Sequence, residues 1–248
     1  MKQTLIIGWL YPTLMNIYGD RGNVISLSKR CQWRNIKTET IMLDLGFSED
    51  DLKKCDIILM GGAQDKQQET VAKDLFEKSR ALQSIIEEDI PGLYICGAYQ
   101  FLGKYYKEAN GNIIKGLGIF DLYTENPGEK EKRLIGNAVF ENSNFGRIIG
   151  FENHGGRTYL GKNILPFGKV IKGFGNNGTD YTEGANYKNS FGTYLHGPIL
   201  PKNPLLADYL ITKALEIKYK TKIILKKLDD SLEQKARLAI AKRLSVGI

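Results

Sequence analysis

The run Gly92-Leu93-Tyr94-Ile95-Cys96-Gly97-Ala98-Tyr99-Gln100 organises the chain. An apolar run, Leu93–Ile95, ends in a cysteine, a glycine follows, and 98–106 reads as a helix. Strand, tight turn and helix in that order make a nucleophile elbow with sulfur in place of oxygen. The turn thrusts the side chain out at the carboxyl end of the strand, and the start of the helix favours negative charge there. A cysteine also serves often as a small buried hydrophobe. The strand-Cys-Gly-helix order favours the nucleophile.

Upstream of the elbow, short β-rich runs alternate with amphipathic ones, the pattern of βαβ units in a mostly parallel sheet. Strands are predicted over 4–10, 39–45 and 56–60, and helices over 23–36 and 69–88. The second helix carries Val71, Leu75, Leu82 and Ile86 on one face. Downstream, from about 112 to 195, glycines and asparagines are dense and the apolar runs short, Ala138–Phe140 and Lys169–Ile171 among them. That half should be β-rich with hairpins. Helices return over 205–219 and 231–244, the latter with Leu232, Ala236, Ile240 and Leu244 at every fourth position. The expected organisation is one α/β domain over 1–219 with a helical extension over 220–248.

Composition narrows the classes. The 248 residues, 42% apolar and 25% charged, suffice for a sizeable core of an ordinary globular protein. The apolar runs fall far short of the roughly 20 residues that cross a bilayer, and no basic-then-apolar leader opens the chain, so a cytoplasmic protein is expected. Three scattered cysteines, Cys31, Cys55 and Cys96, without a CxxC pair argue against a disulfide framework and a thiolate zinc site. The net charge of +7 is concentrated at Lys218, Lys220, Lys222, Lys226 and Lys227. With no nucleic-acid-binding signature, that patch suits an acidic protein partner or an anionic surface better than a nucleic acid.

A cysteine nucleophile needs a base to take and return its proton. There are two histidines. His196 lies in Gly192-Thr193-Tyr194-Leu195-His196-Gly197-Pro198, at the end of a short strand between turn-forming residues. Its rival, His154 in Glu152-Asn153-His154-Gly155-Gly156-Arg157, suits a substrate-lining loop at least as well. The third segment, Met60-Gly61-Gly62-Ala63-Gln64-Asp65, follows an apolar strand, and its glycines let backbone N–H groups face an oxyanion. No GxxxxGK[ST] loop and no GxGxxG after the first strand are present, so no nucleotide site is expected on this chain.

In this order the three segments resemble the class I, triad-type glutamine amidotransferases, specifically their cobyric-acid-synthase-like branch. That branch carries a Cys-Gly-x-Tyr-Gln-x-Leu-Gly elbow, matched by Cys96–Gly103, and a Tyr-Leu-His-Gly turn, matched by Tyr194–Gly197. Most class I members place a glutamate two residues after the histidine; here Pro198 stands there. This agrees with the branch's Cys/His dyad and leaves any third member unassigned. Tyr11-Pro12, Asn16–Asn23, Gly61–Asp65 and Phe151–Thr158 narrow the resemblance to the glutaminase subunits of lipid II isoglutaminyl synthase, over nearly the whole chain.

The resemblance implies a flavodoxin-like fold, with Cys96 and His196 hydrolysing L-glutamine. It implies oxyanion and substrate contacts near Gly62, Gly97 and Gln100, and a glutamine-carboxylate contact at Arg133. No cofactor or metal is implied for this subunit; ATP belongs to a partner, a Mur-ligase-like synthetase (MurT), in a heterodimer. That partner would amidate D-glutamate of the lipid II stem peptide, in the cytoplasm or at the inner face of the membrane. Three other readings stand beside it. One is an amidotransferase for another carboxylate, such as a corrinoid. The others are a silent scaffold subunit and a cysteine hydrolase of other substrates.

Overall fold

The computed structural model describes residues 3–63, 65–128 and 130–247, with the side chains at 65 and 66 outside the description. Gln64 of the glycine-pair motif therefore lies outside the described residues.

Four strands, β1 (Thr4–Leu10), β2 (Lys37–Leu43), β3 (Ile57–Met60) and β4 (Gly92–Ile95), alternate with five helices. These are α1 (Arg21–Gln32), α2 (Glu49–Lys53), α3 (Asp65–Glu77), α4 (Ser79–Glu87) and α5 (Gly97–Leu102). Next come β5 (Tyr105–Lys107), β6 (Ile113–Lys115), β7 (Leu122–Glu125), β8 (Leu134–Asn142), β9 (Gly146–His154) and β10 (Arg157–Leu160). The remaining strands are β11 (Gly168–Lys172), β12 (Thr182–Glu183), β13 (Ala185–Tyr187), β14 (Ser190–Thr193) and β15 (Leu195–His196). Helices α6 (Pro204–Tyr219) and α7 (Ser231–Leu244) end the chain.

The main sheet runs β13-β14-β4-β3-β1-β2, parallel throughout except for the edge pair β13–β14. Without that edge strand its order is 2-1-3-4-5, the flavodoxin-like winding, in which functional groups gather beyond the carboxyl ends of the strands. Every residue of β3, β4 and β14 is buried, as expected of strands covered on both faces, and this explains their uninterrupted runs of apolar or small residues.

Two predicted helices differ in the structure. The run 69–88 is two helices, because Lys78 leaves helical geometry at φ −97°, ψ 8° and turns its ammonium back onto Asp74 Oδ1 at 2.8 Å. Both apolar faces stay buried across the break, Val71 and Leu75 before it and Leu82 and Ile86 after it. Each such side chain contributes roughly 1.5–3 kcal/mol by leaving water. The run 98–106 stops as a helix at Leu102. Tyr105–Lys107 instead pairs with β6 and β7 in a second sheet, β10-β7-β5-β6.

A third sheet, β12-β11-β8-β9-β15, is built on the hairpin of β8 and β9, which pairs continuously from Leu134↔His154 to Asn142↔Gly146. Asn142 Oδ1 closes its turn by accepting from the amides of Asn144 and Phe145, and Gly146 supplies the φ of +65°. The chain passes from the main sheet to this one between Thr193 and Leu195, and Leu195–His196 pairs with Phe151 and Glu152 of β9.

The segment past Tyr219 folds back onto the domain. Asp230 pairs with the buried Arg30, and Arg237 donates to Asn203 Oδ1 and to the carbonyls of Lys202 and Arg147. Helix α7 packs Ala241, Ile240 and Leu244 against Val139 and Ile149. Leu232, at the start of its apolar stripe, is exposed, because only the C-terminal half of the helix lies on the hairpin.

Candidate active site

Cys96 sits between β4 and α5 with φ 53°, ψ −109°, a conformation that L residues rarely adopt and that costs on the order of 1–3 kcal/mol. Its amide donates to Thr193 O at 2.8 Å, which ties the elbow to β14 and to the segment leading into His196. A Cβ at Gly97 would come within 2.8 Å of Gln68 Nε2 and displace that side chain from the cavity wall.

His196 is fully buried behind the cysteine. Its Nδ1 faces Asp20 Oδ1 at 3.3 Å, the Tyr18 ring packs T-shaped with the imidazole with centroids 4.9 Å apart, and Lys202 holds the following carbonyls of Gly197 and Pro198. Burial alone would lower the proton affinity of this ring. Asp20 on one side and the Cys96 sulfur on the other overcome that cost and raise it to about 10. Nε2 has no full hydrogen-bond partner among the described residues and is free to exchange a proton with the thiol. Such contacts are often loose before substrate binds.

Gly61 and Gly62 owe their lack of side chains to these neighbours. A Cβ at Gly61 would run first into the Met15 carbonyl oxygen and then come within 2.9 Å of Asp20 Oδ2; one at Gly62 would lie 2.9 Å from His196 Cε1 and 3.1 Å from Cys96 Cβ. The amide of Gly62 already donates to Asp20 Oδ2 at 2.9 Å.

Cys96 opens onto a cavity of about 220 Å³ lined also by Gln68, Gln100, Arg133, Asn153 and His154. A larger groove of about 580 Å³, between α3 and β6, is lined by no cysteine or histidine, whereas the smaller cavity is lined by Cys96 and His154. Tyr194 forms the cavity's polar foundation. Its hydroxyl accepts from Gln100 Nε2 at 3.1 Å and meets Thr158 Oγ1 at 2.7 Å. Gln68 donates to Ala63 O, and the side-chain oxygens of both Gln68 and Gln100 are buried without a partner among the described residues. At the rim Arg133 donates to Asn153 Oδ1 and to Asn153 O, each at 3.0 Å, and Asn153 Nδ2 donates to Tyr18 OH at 2.7 Å.

His154 is a wall of this cavity. It stacks on Tyr194 at 3.6 Å, its Nδ1 meets Gly156 O at 2.8 Å, and burial lowers its proton affinity. Of the residues singled out in the sequence, Cys96, Gln100 and Arg133 line the cavity directly, and His196 and Gly62 stand behind Cys96. Tyr18, Asp20 and Asn153 entered the sequence reading only inside the motifs Asn16–Asn23 and Phe151–Thr158, with no role of their own, and Gln68 did not enter it. Asp20 is 176 positions from the histidine it touches, and only the proline in place of an acid after His196 hinted that a carboxylate would have to come from elsewhere.

A cysteine on a strained elbow at the carboxyl edge of a flavodoxin-like sheet, with a buried imidazole behind it, is the arrangement expected from the resemblance to the triad-type glutamine amidotransferases. Residues 6–204 match the CobB/CobQ-like glutamine amidotransferase domain, and the chain belongs to that family. It is 48% identical over 206 residues to the GatD subunit of lipid II isoglutaminyl synthase (glutamine-hydrolyzing) from Staphylococcus aureus, covering 82% of each chain. To the GatD subunit from Streptococcus pneumoniae it is 41% identical over 233 residues, 93% of this chain and 88% of that one. A probable cobyric acid synthase from Methanothermobacter thermautotrophicus is 30% identical over 63% of this chain and 32% of its own length. A crystal structure of a glutamine amidotransferase superposes with a TM-score of 0.59 at 15% identity, over 84% of this chain and 98% of that one, a likeness of fold. Among the described residues no helix is long and apolar enough to cross a membrane.

Proposed function

We propose that this chain is the glutaminase subunit of a lipid II isoglutaminyl synthase, with Cys96 as nucleophile and His196 as its acid and base. The observation that carries the reading is the strained Cys96 backed by His196 at the mouth of a small polar cavity with Arg133 on its rim. The names borne by the Staphylococcus aureus and Streptococcus pneumoniae relatives support the choice of acceptor.

In the proposed reaction the Cys96 thiolate attacks the side-chain amide carbon of L-glutamine, forming a C–S bond while the carbonyl electrons move to oxygen. Backbone N–H groups of Gly97 and of the turn at Gly62–Ala63 stabilise that oxyanion. Because the Gly62 amide is held by Asp20, Ala63 is the donor assigned from this turn. His196 gives its proton to the departing nitrogen, the C–N bond breaks, and ammonia leaves. The imidazole then takes a proton from water, the hydroxide attacks the thioester, and glutamate leaves with return of the thiolate. Arg133 holds the glutamine α-carboxylate through its guanidinium. Ammonia passes to a Mur-ligase-like, ATP-dependent synthetase (MurT), which amidates D-glutamate of the lipid II stem peptide on the cytoplasmic side of the membrane. ATP binds that partner.

The test is glutamate release from L-glutamine by the wild type beside Cys96→Ala, with and without the synthetase. Release abolished by the substitution is expected. No release by the wild type even with the synthetase would overturn the reading.

A further inference from the structure

The base of the site has an acid partner that does not follow it in the chain. Asp20 is 4% exposed, at the start of α1, where an aspartate ordinarily accepts from the helix's first amides. Its side chain makes no such bond; Asn16 Oδ1 takes the Arg21 amide instead, at 2.8 Å. Released from capping, the carboxylate bridges His196 Nδ1 with one oxygen and the Gly62 amide with the other. A buried carboxylate needs such compensation, because an unpaired charge there is costly.

The surrounding residues are cut to fit this bridge. Gly61 leaves room for the carboxylate, and Gly22, the second residue of α1, lies so close to Pro198 that any side chain would overlap the proline ring. The helix start is thereby pressed onto the residue that stands where most class I amidotransferases carry their glutamate. The preceding turn, with Tyr18 at φ 53° and Gly19 at φ 79°, delivers Asp20 from the end of β1 to the same sheet edge as β3, β4 and β14.

We infer that Asp20 is the third member of the site, a positioning residue that orients the His196 ring through Nδ1 and stabilises its cationic form. Because Asp20 also grips the Gly62 amide, it couples the base to the turn that supplies the oxyanion donor. This rests on the glutaminase reading for its kinetic consequence, whereas the contact with His196 is read independently.

The test pairs turnover with histidine NMR on the full chain, with the synthetase present for turnover. Asn in place of Asp20 keeps the size and an acceptor for the Gly62 amide but removes the charge. Asp20→Asn is expected to lower kcat roughly 100-fold or more with KM little changed, and to bring the His196 titration down toward the ordinary imidazole value. Asp20→Glu is expected to restore part of both. Wild-type kcat and an unshifted His196 titration in a folded Asp20→Asn would overturn the inference. So would lost turnover with an unshifted titration and a lowered melting temperature, which would make Asp20 merely structural. A wild type that releases no glutamate would instead fail the glutaminase reading, and the titration would still decide the role of Asp20.

Discussion

The two histidines occupy neighbouring, equally buried places and are set to opposite states. His196 faces a carboxylate through Nδ1 and a thiol on its other side, and its proton affinity rises. His154 gives Nδ1 to a backbone carbonyl and stacks on Tyr194, and its proton affinity falls. A carboxylate is near His154 as well, with Glu152 Oε2 at 4.0 Å. The oxygens of Glu152, however, already accept from the amides of Phe174 and Gly175 at 2.7 and 2.9 Å. Burial is thus common to both rings. What separates the two rings is a carboxylate within reach with an oxygen not already taken by a backbone amide.

Replacing each ring is the most forceful attempt to break this contrast. His196→Gln is expected to lower glutamate release roughly 100- to 10,000-fold, the scale of a lost general acid and base. His154→Gln should keep kcat within a few-fold while losing about 0.5–1.5 kcal/mol of ring stacking, read as a lower melting temperature. A collapse of kcat in His154→Gln with His196→Gln spared would exchange the two assignments.

A smaller effect sharpens the same contrast from the His154 side. Glu183, fully buried behind Tyr194, has its carboxyl pushed up to about 7 by burial and by the charge of Glu152, against the hydroxyl of Thr193 and the amides that stabilise its anion. The folded protein therefore holds this proton more tightly than the unfolded chain. The stability so gained is complete below the ordinary glutamate value and is lost as pH rises through about 7. Denaturant midpoints between pH 5 and 8 should fall for the wild type and run flatter for Glu183→Gln. Parallel curves would show that Glu183 ionises without cost.

Much of this was legible in the sequence where the signal is local. The elbow at Cys96, the turn at His196 and the β-rich texture after residue 112 each announce themselves within a few residues. The break at Lys78 was hidden because the apolar spacing of Val71, Leu75, Leu82 and Ile86 runs through it undisturbed. Tyr105 and Tyr106 read as helix because the strand Tyr105–Lys107 exists only through partners in β6 and β7. Asp20 was hidden for a third reason: its partner His196 lies 176 positions away, and only the three-dimensional course of the chain brings the two together. The glycine pair was legible as a turn, but the reason for both glycines, clearance for the Met15 carbonyl and Asp20 at one and for His196 with Cys96 at the other, required the packed site.

The chain's two histidines make the central claim directly measurable, by titrating the ring nitrogens of histidine-labelled protein and assigning the pair with His154→Gln. The account predicts that His196 stays cationic well above neutral pH, toward about 10, while His154 is neutral throughout that range. Two rings titrating together near the ordinary imidazole value, or His154 as the cationic one, would contradict it.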